Sequence, residues 1–222
     1  MNSLVSIIPY MRTFQLPAIL LILFIVFASG CNRPELTTVE YGEIDTSQDP
    51  VQTPYEQDET FTINIKDGQF SIKPLAEYKI SAVVAGKESY SYGWSGKVAP
   101  VDLALAWGKI AEPENTKHVS FSQSDRWYFF TYKPEAPFDS SYISRHSANN
   151  HIIPATENVL KAVKSVKERE KIILEGFLVN LTGTVEGQKV SWGTSLTRND
   201  SGDSSCELFY VTKVRIDNKV YQ

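Results

Sequence analysis

The sequence predicts a mainly β (α+β) fold: a small twisted β-barrel with one helix, following an N-terminal targeting segment and an acidic spacer. Three observations lead there. Apolar residues recur with a period of two through most of the chain beyond Phe61. Turn pairs such as Asp67-Gly68 and Ser124-Asp125 separate these runs. One stretch, Val159 to Val166, has clear helical spacing. At 222 residues with 42% apolar and 22% charged content, the chain suits one globular domain with non-globular ends.

Residues 1–30 are set aside as targeting sequence. Phe14 to Ser29, "FQLPAILLILFIVFAS", is uncharged and apolar and follows Arg12, as in a secretory signal. Starting at Met11 gives a signal of ordinary length, and Met11 is the expected start. "FASGC", Phe27 to Cys31, resembles the lipobox of bacterial lipoproteins, with Ala28 standing where leucine is commoner. The resemblance implies cleavage before Cys31, diacylglycerol on its thiol and acylation of the new amino terminus. It also implies a cell-envelope location, on the outer membrane facing the periplasm where the cell has one, because Asn32 is not the aspartate of inner-membrane retention. The apolar run is shorter than the roughly 20 residues of a spanning helix. Lipidation leaves Cys206 without a disulfide partner, so it is expected as a buried thiol.

Residues 31–59 read as a disordered tether. From Asn32 to Glu59 there are eight acids against Arg33 alone, with three prolines and few large apolar side chains. Such a segment buries too little to offset its ordering entropy, and its self-repulsion should hold the domain away from an anionic surface. Of the chain's 22 basic and 26 acidic residues, Arg12, Arg33 and these eight acids precede Phe61, so residues 60–222 carry 20 basic against 18 acidic. That near balance gives no support for nucleic-acid binding.

Within residues 60–222, "FTINIKDGQFSIKP" reads as a hairpin about Asp67-Gly68 and "YKISAVVAGK" as a third strand; "ESYSYGWSG" is loop-like. "VDLALAWGKI" fits a short helix or a buried strand. "VSFSQSDRWYFFTYK" holds two strands about Ser124-Asp125. "TENVLKAVKSVKERE" is the helix, capped by Thr156, with Glu157 at its positive end and Val159, Leu160, Val163 and Val166 on one stripe. "KIILEGFLVNLTG" and "CELFYVTKVRI" are apolar on both faces, as central strands are. The order helix, long strand, hairpin, long strand resembles an oligosaccharide/oligonucleotide-binding (OB) type barrel. "DLALAWG", "SQSDRWYFF", "RHSANNHIIPA", "EGFLVNLTG" and "SCELFYV" together resemble a bacterial family of uncharacterised proteins over roughly residues 92–216; this implies a domain and no activity.

Candidate chemistry concentrates in "SRHSANNHIIPA", residues 144–155. His146 and His151, five apart, fall about 140° apart on a helix and on opposite faces of a strand, so no regular element makes them a metal clamp. Asp200 and Asp203 lack the acidic spacing of a calcium loop. Neither a metal nor a cofactor is expected. Candidates for nucleophilic chemistry are Ser147 or Cys206, served by His146 or His151. Candidates for ligand contact are Trp107, Arg126, His146 and Asn150, with the run Trp127 to Phe130 able to stack a sugar or a peptide or to pack in the core. The resulting expectation is a lipid-anchored envelope protein whose β domain binds a small ligand or another envelope protein. The alternative is an envelope hydrolase with a His/Ser or His/Cys site.

Overall fold

The computed structural model describes residues 32–66, 68–198 and 206–222. Residues 1–30, expected as a targeting segment, lie outside the described residues, as do Cys31, Asp67 and the Asp200/Asp203 loop. The fold is mainly β. Its strands are β1 (Thr38–Val39), β2 (Val51–Pro54), β3 (Phe61–Ile65), β4 (Gly68–Ser89), β5 (Val101–Ala106), β6 (Val119–Ser124), β7 (Trp127–Tyr132), β8 (Ser147–Pro154), β9 (Lys171–Val185), β10 (Gln188–Trp192), β11 (Glu207–Ile216) and β12 (Lys219–Tyr221). Its helices are α1 (Gly93–Val98), α2 (Ser140–Arg145) and α3 (Glu157–Ser165).

Five strands close on themselves. β4 pairs with β5, β5 with β8, β11 with β9 and β9 with β4, all antiparallel, while β8 and β11 run parallel. The ring order is β4-β5-β8-β11-β9, and α3 lies between β8 and β9 in the chain. Gly176 sits at the β9–β11 seam, where an added Cβ would stand 2.0 Å from the Tyr210 carbonyl oxygen. The inner face holds Tyr78, Ile80, Leu103, Leu105, Ile152 and Phe209, closed at one end by Val159 and Val163 of α3. The Thr156 hydroxyl accepts the Val159 amide at 3.1 Å and caps that helix as predicted.

Several expectations need correction. "QFSIKP" and "YKISAVVAGK" form one 22-residue strand, because Pro74 falls where the register with β9 shifts, the position at which a sheet tolerates a missing N–H. "VDLALA" is a fully buried strand. Helix α3 stops at Ser165, and the two additional helices are six residues each, too short to show periodicity.

The largest correction concerns residues 32–59, expected as a disordered tether. They form a strap on the domain: β1 pairs with β12 and β2 with β4. Ile44 and Thr46 are buried. Five of the acids have side-chain partners: Glu40 accepts from Lys213 Nζ at 2.6 Å, Asp49 from Trp107 Nε1 at 2.9 Å, Asp45 from the Ser47 amide at 2.9 Å, Asp58 from Lys73 Nζ at 3.4 Å and Glu59 from Tyr55 Oη at 3.1 Å; Arg215 bonds the Gly42 carbonyl. Sheet edges supply the ordering energy that composition does not. No helix among the described residues is long and apolar enough to cross a membrane.

Candidate functional site

The site begins with a charge inside an apolar strand. All six residues of β5 are buried, and Asp102, fully enclosed among them, must find partners for its carboxylate. Asp102 Oδ1 lies 2.6 Å from Arg126 Nη1. The β5–β8 register sets Asp102 opposite His151, and Asp102 Oδ2 is 3.0 Å from His151 Nδ1. This second contact is poorly aligned for a hydrogen bond, so it is one of proximity; neither atom has a hydrogen-bond partner among the described residues. His151 is itself 3% exposed.

Arg126 arrives from a turn that its own backbone resists. β6 and β7 pair with Ser124 opposite Trp127, leaving Asp125 and Arg126 as a two-residue turn with φ of +52° and +73°. Both values are left-handed, the type I′ geometry that favours Asn-Gly. Tertiary contacts fix it. The Arg126 amide donates to Tyr90 Oη at 3.0 Å, and its carbonyl accepts from Asn149 Nδ2 at 2.8 Å. Nη1 also donates to the Ala99 carbonyl at 2.9 Å, and the guanidinium lies 3.7 Å from the centre of the Tyr90 ring. Asn149 Oδ1 in turn accepts from Gln123 Nε2 at 2.8 Å. Burial pushes the Tyr90 hydroxyl above its ordinary pKa, partly offset by the Arg126 amide it accepts, so it is a neutral phenol.

Around this cluster opens a cleft of about 300 Å³, lined by Trp94, Ser95, Arg126, Trp127, His151, Ser191, Trp192, Gly193 and Cys206. Helix α1 supplies Trp94, β7 begins with Trp127 and β10 ends with Trp192. The Trp94 and Trp192 rings meet edge to face at 5.9 Å, and Trp192 packs 4.7 Å from the His151 ring. Trp127 is 36% exposed. His151 lines this opening. Two other depressions, one between β4 and β6 and one on the Thr/Ser-rich face of β3, β4, β9 and β10, include no buried titratable side chain.

The predicted residues separate into two groups. Arg126, His151 and Cys206 meet at the cleft; Cys206, expected as buried, is half-buried there, at the start of β11 ahead of the apolar run. His146, Ser147, Trp107 and Asn150 do not join them. His146 stacks on Tyr142 at 3.7 Å and directs Nδ1 at the Tyr142 carbonyl, closing α2. The Ser147 hydroxyl donates to the Ile143 carbonyl at 2.8 Å. Trp107 and Asn150 are fully buried, with Trp107 in the ring's core and Asn150 bonding the Leu103 and Ala148 carbonyls at 3.5 and 3.2 Å. Sequence reasoning missed Asp102, Tyr90, Asn149, Trp94 and Trp192. One of these carried a signal: a lone aspartate in "VDLALA" has to be paired once the strand is read as buried.

No family model, curated protein or solved structure matches the chain. Chemically, the cleft offers three indole surfaces, an imidazole edge, two serines and a thiol around an internally neutralised Asp–Arg pair. No group of three His, Cys, Asp or Glu side chains among the described residues is arranged to hold a metal.

Proposed function

We propose that this is a lipid-anchored cell-envelope protein whose β domain binds a small ligand or a partner's side chains in the Trp94–Trp127–Trp192 cleft. One observation carries the reading: three of the chain's four tryptophans converge on one opening around the buried Asp102–Arg126 pair. Because that pair is neutral as a unit, the cleft favours ring faces and hydroxyl or amide groups over strongly charged ligands. A sugar ring or an aromatic peptide side chain has that chemistry. The anchor rests on the Phe27–Cys31 lipobox; two or three acyl chains on Cys31 would hold the protein stably on a bilayer.

The test uses 5-fluorotryptophan-labelled protein and a panel of mono- and disaccharides and short aromatic peptides. Ligands that bind should shift the fluorine signals of Trp94, Trp127 and Trp192 and leave Trp107, enclosed in the ring, unmoved. Binding that perturbs none of the three cleft signals contradicts the assignment.

A second reading, an envelope hydrolase, is favoured by the Asp102–His151 contact of 3.0 Å in a cleft that Cys206 also lines. The carboxylate stands beside Nδ1, and His151 and Cys206 line the same cleft, the residue types that nucleophilic chemistry uses. Turnover of activated esters or peptides that is lost in both Cys206→Ser and His151→Ala, with the fold retained, would favour this reading over simple binding.

A further inference from the structure

The strap decides which face of the domain meets the membrane. Asn158, in the first turn of α3, clamps Glu35 from both sides: its Oδ1 accepts the Glu35 amide at 2.6 Å, and its Nδ2 donates to the Glu35 carbonyl at 2.8 Å and to the Gln222 carbonyl at 3.0 Å. The Thr37 amide then donates to the Val220 carbonyl at 2.9 Å, and β1 follows. Only Asn32, Arg33 and Pro34 separate Cys31 from this clamp. Even fully extended, four residue steps reach about 14 Å. Whatever is attached to Cys31 is therefore held close to the start of α3 and the β1–β12 edge.

That neighbourhood has the composition of an interfacial surface. Leu36, Val39 and Tyr41 are 53%, 37% and 86% exposed, an unusual run of large apolar side chains left in water on one short strap. Beside them stand Lys161, one turn along α3 from Asn158, Lys219, which pairs with Val39, and Arg33. None of these cations has an ion-pair partner among the described residues; of the acids beside them, Glu35, Glu40, Glu157 and Asp217, Glu40 is paired with Lys213. Apolar and aromatic side chains among unpaired cations suit a headgroup layer containing anionic lipid.

We infer that the β1–β12 edge and the start of α3, with Leu36, Val39, Tyr41, Lys161 and Lys219, lie on the phospholipid headgroup surface. This rests on the lipoprotein reading of Cys31. The domain then sits on the bilayer. The cleft is set back from it, since Asn149, which holds the Arg126 turn, precedes Pro154 by about 17 Å of strand.

The experiment uses the full, membrane-extracted protein, isotope-labelled and with acylation of Cys31 established by mass spectrometry. It is reconstituted in nanodiscs of phosphatidylethanolamine and phosphatidylglycerol containing a nitroxide-headgroup lipid. Paramagnetic relaxation should be strongest at residues 36–41, 161 and 219 and weak at Asp125 and Arg126. A Leu36→Ser/Tyr41→Ser variant, still acylated, should lose a large part of the relaxation at Lys161. Acylated protein relaxed most strongly elsewhere, or uniformly weakly, overturns the inference and leaves the lipoprotein reading standing. So does a concentration-dependent dimer that shields these residues from the nitroxide. An unmodified Cys31 with the preceding residues still attached overturns both.

Discussion

Two hairpins in this protein have the same turn geometry and opposite chemistry. β9 and β10 are joined by Glu186-Gly187, with φ of +49° and +80°, and β6 and β7 by Asp125-Arg126, with φ of +52° and +73°. In the first, glycine fills the left-handed second position, and an added Cβ would meet nothing within 4 Å. It is a self-sufficient turn. In the second, arginine occupies that position, and the conformation persists because Tyr90, Asn149, Ala99 and Asp102 hold it. A local rule broken at one hairpin and kept at the other marks where tertiary structure is maintaining a strained geometry, and that place is the cleft.

The comparison can be broken most sharply at Asp102. Asp102→Ala leaves the Arg126 guanidinium, only 19% exposed, without its carboxylate, and should lower stability by about 3–5 kcal/mol in chemical denaturation. Next is Arg126→Gly, which relaxes the turn by about 1 kcal/mol but strands Asp102 in the interior. The net should be a loss of about 2 kcal/mol or more. A gain in stability would show that the hairpin is an ordinary turn after all. Gly187→Ala at the other hairpin should cost about 1 kcal/mol, from backbone conformation alone.

Much of the architecture could be read from the chain, and the exceptions have physical reasons. Alternation pointed to most of the strands and so to the mainly β class, and Thr156 marked the start of α3. The strap escaped because composition measures what a segment can bury by itself, whereas Thr38–Val39 and Val51–Pro54 are ordered by edges that other strands provide. The cleft was half legible. "SRHSANNHIIPA" contributes both His146 and His151, yet only residues from Ser147 onward are strand, so His146 closes α2 while Asn149 and His151 face Arg126 and Asp102. Residues that meet through sheet register and hairpin docking are distant in sequence, and no spacing rule links Asp102, Arg126 and His151.

Smaller effects sharpen the contrast further. Glu186→Asn, which suits a left-handed first turn position, should stabilise by about 0.5 kcal/mol in thermal unfolding. Equivalent tuning at Asp125 should have less effect because contacts already determine that turn. The strap responds to pH at its own ion pair. The Lys213 hydrogen bond holds Glu40 below its ordinary value of 4.5, so the pair's contribution is present above that pH and lost as pH falls through the depressed folded value. Glu40 holds Lys213 above 10.5, so the contribution is complete below that pH and lost as pH rises through the folded value. Hydrogen exchange at Thr38 and Val39 should therefore be slowest relative to the ring between those limits and accelerate on the acid side before global unfolding.

The most direct test of the site is the nitrogen spectrum of the His151 ring in the native protein and in Asp102→Asn. If Asp102 orients this imidazole toward the cleft, the native ring should carry its proton on Nδ1, with Nε2 as the nitrogen that senses added ligand, and Asp102→Asn should disturb that preference. A neutral ring protonated on Nε2 in the native protein, unchanged in Asp102→Asn, would contradict the account.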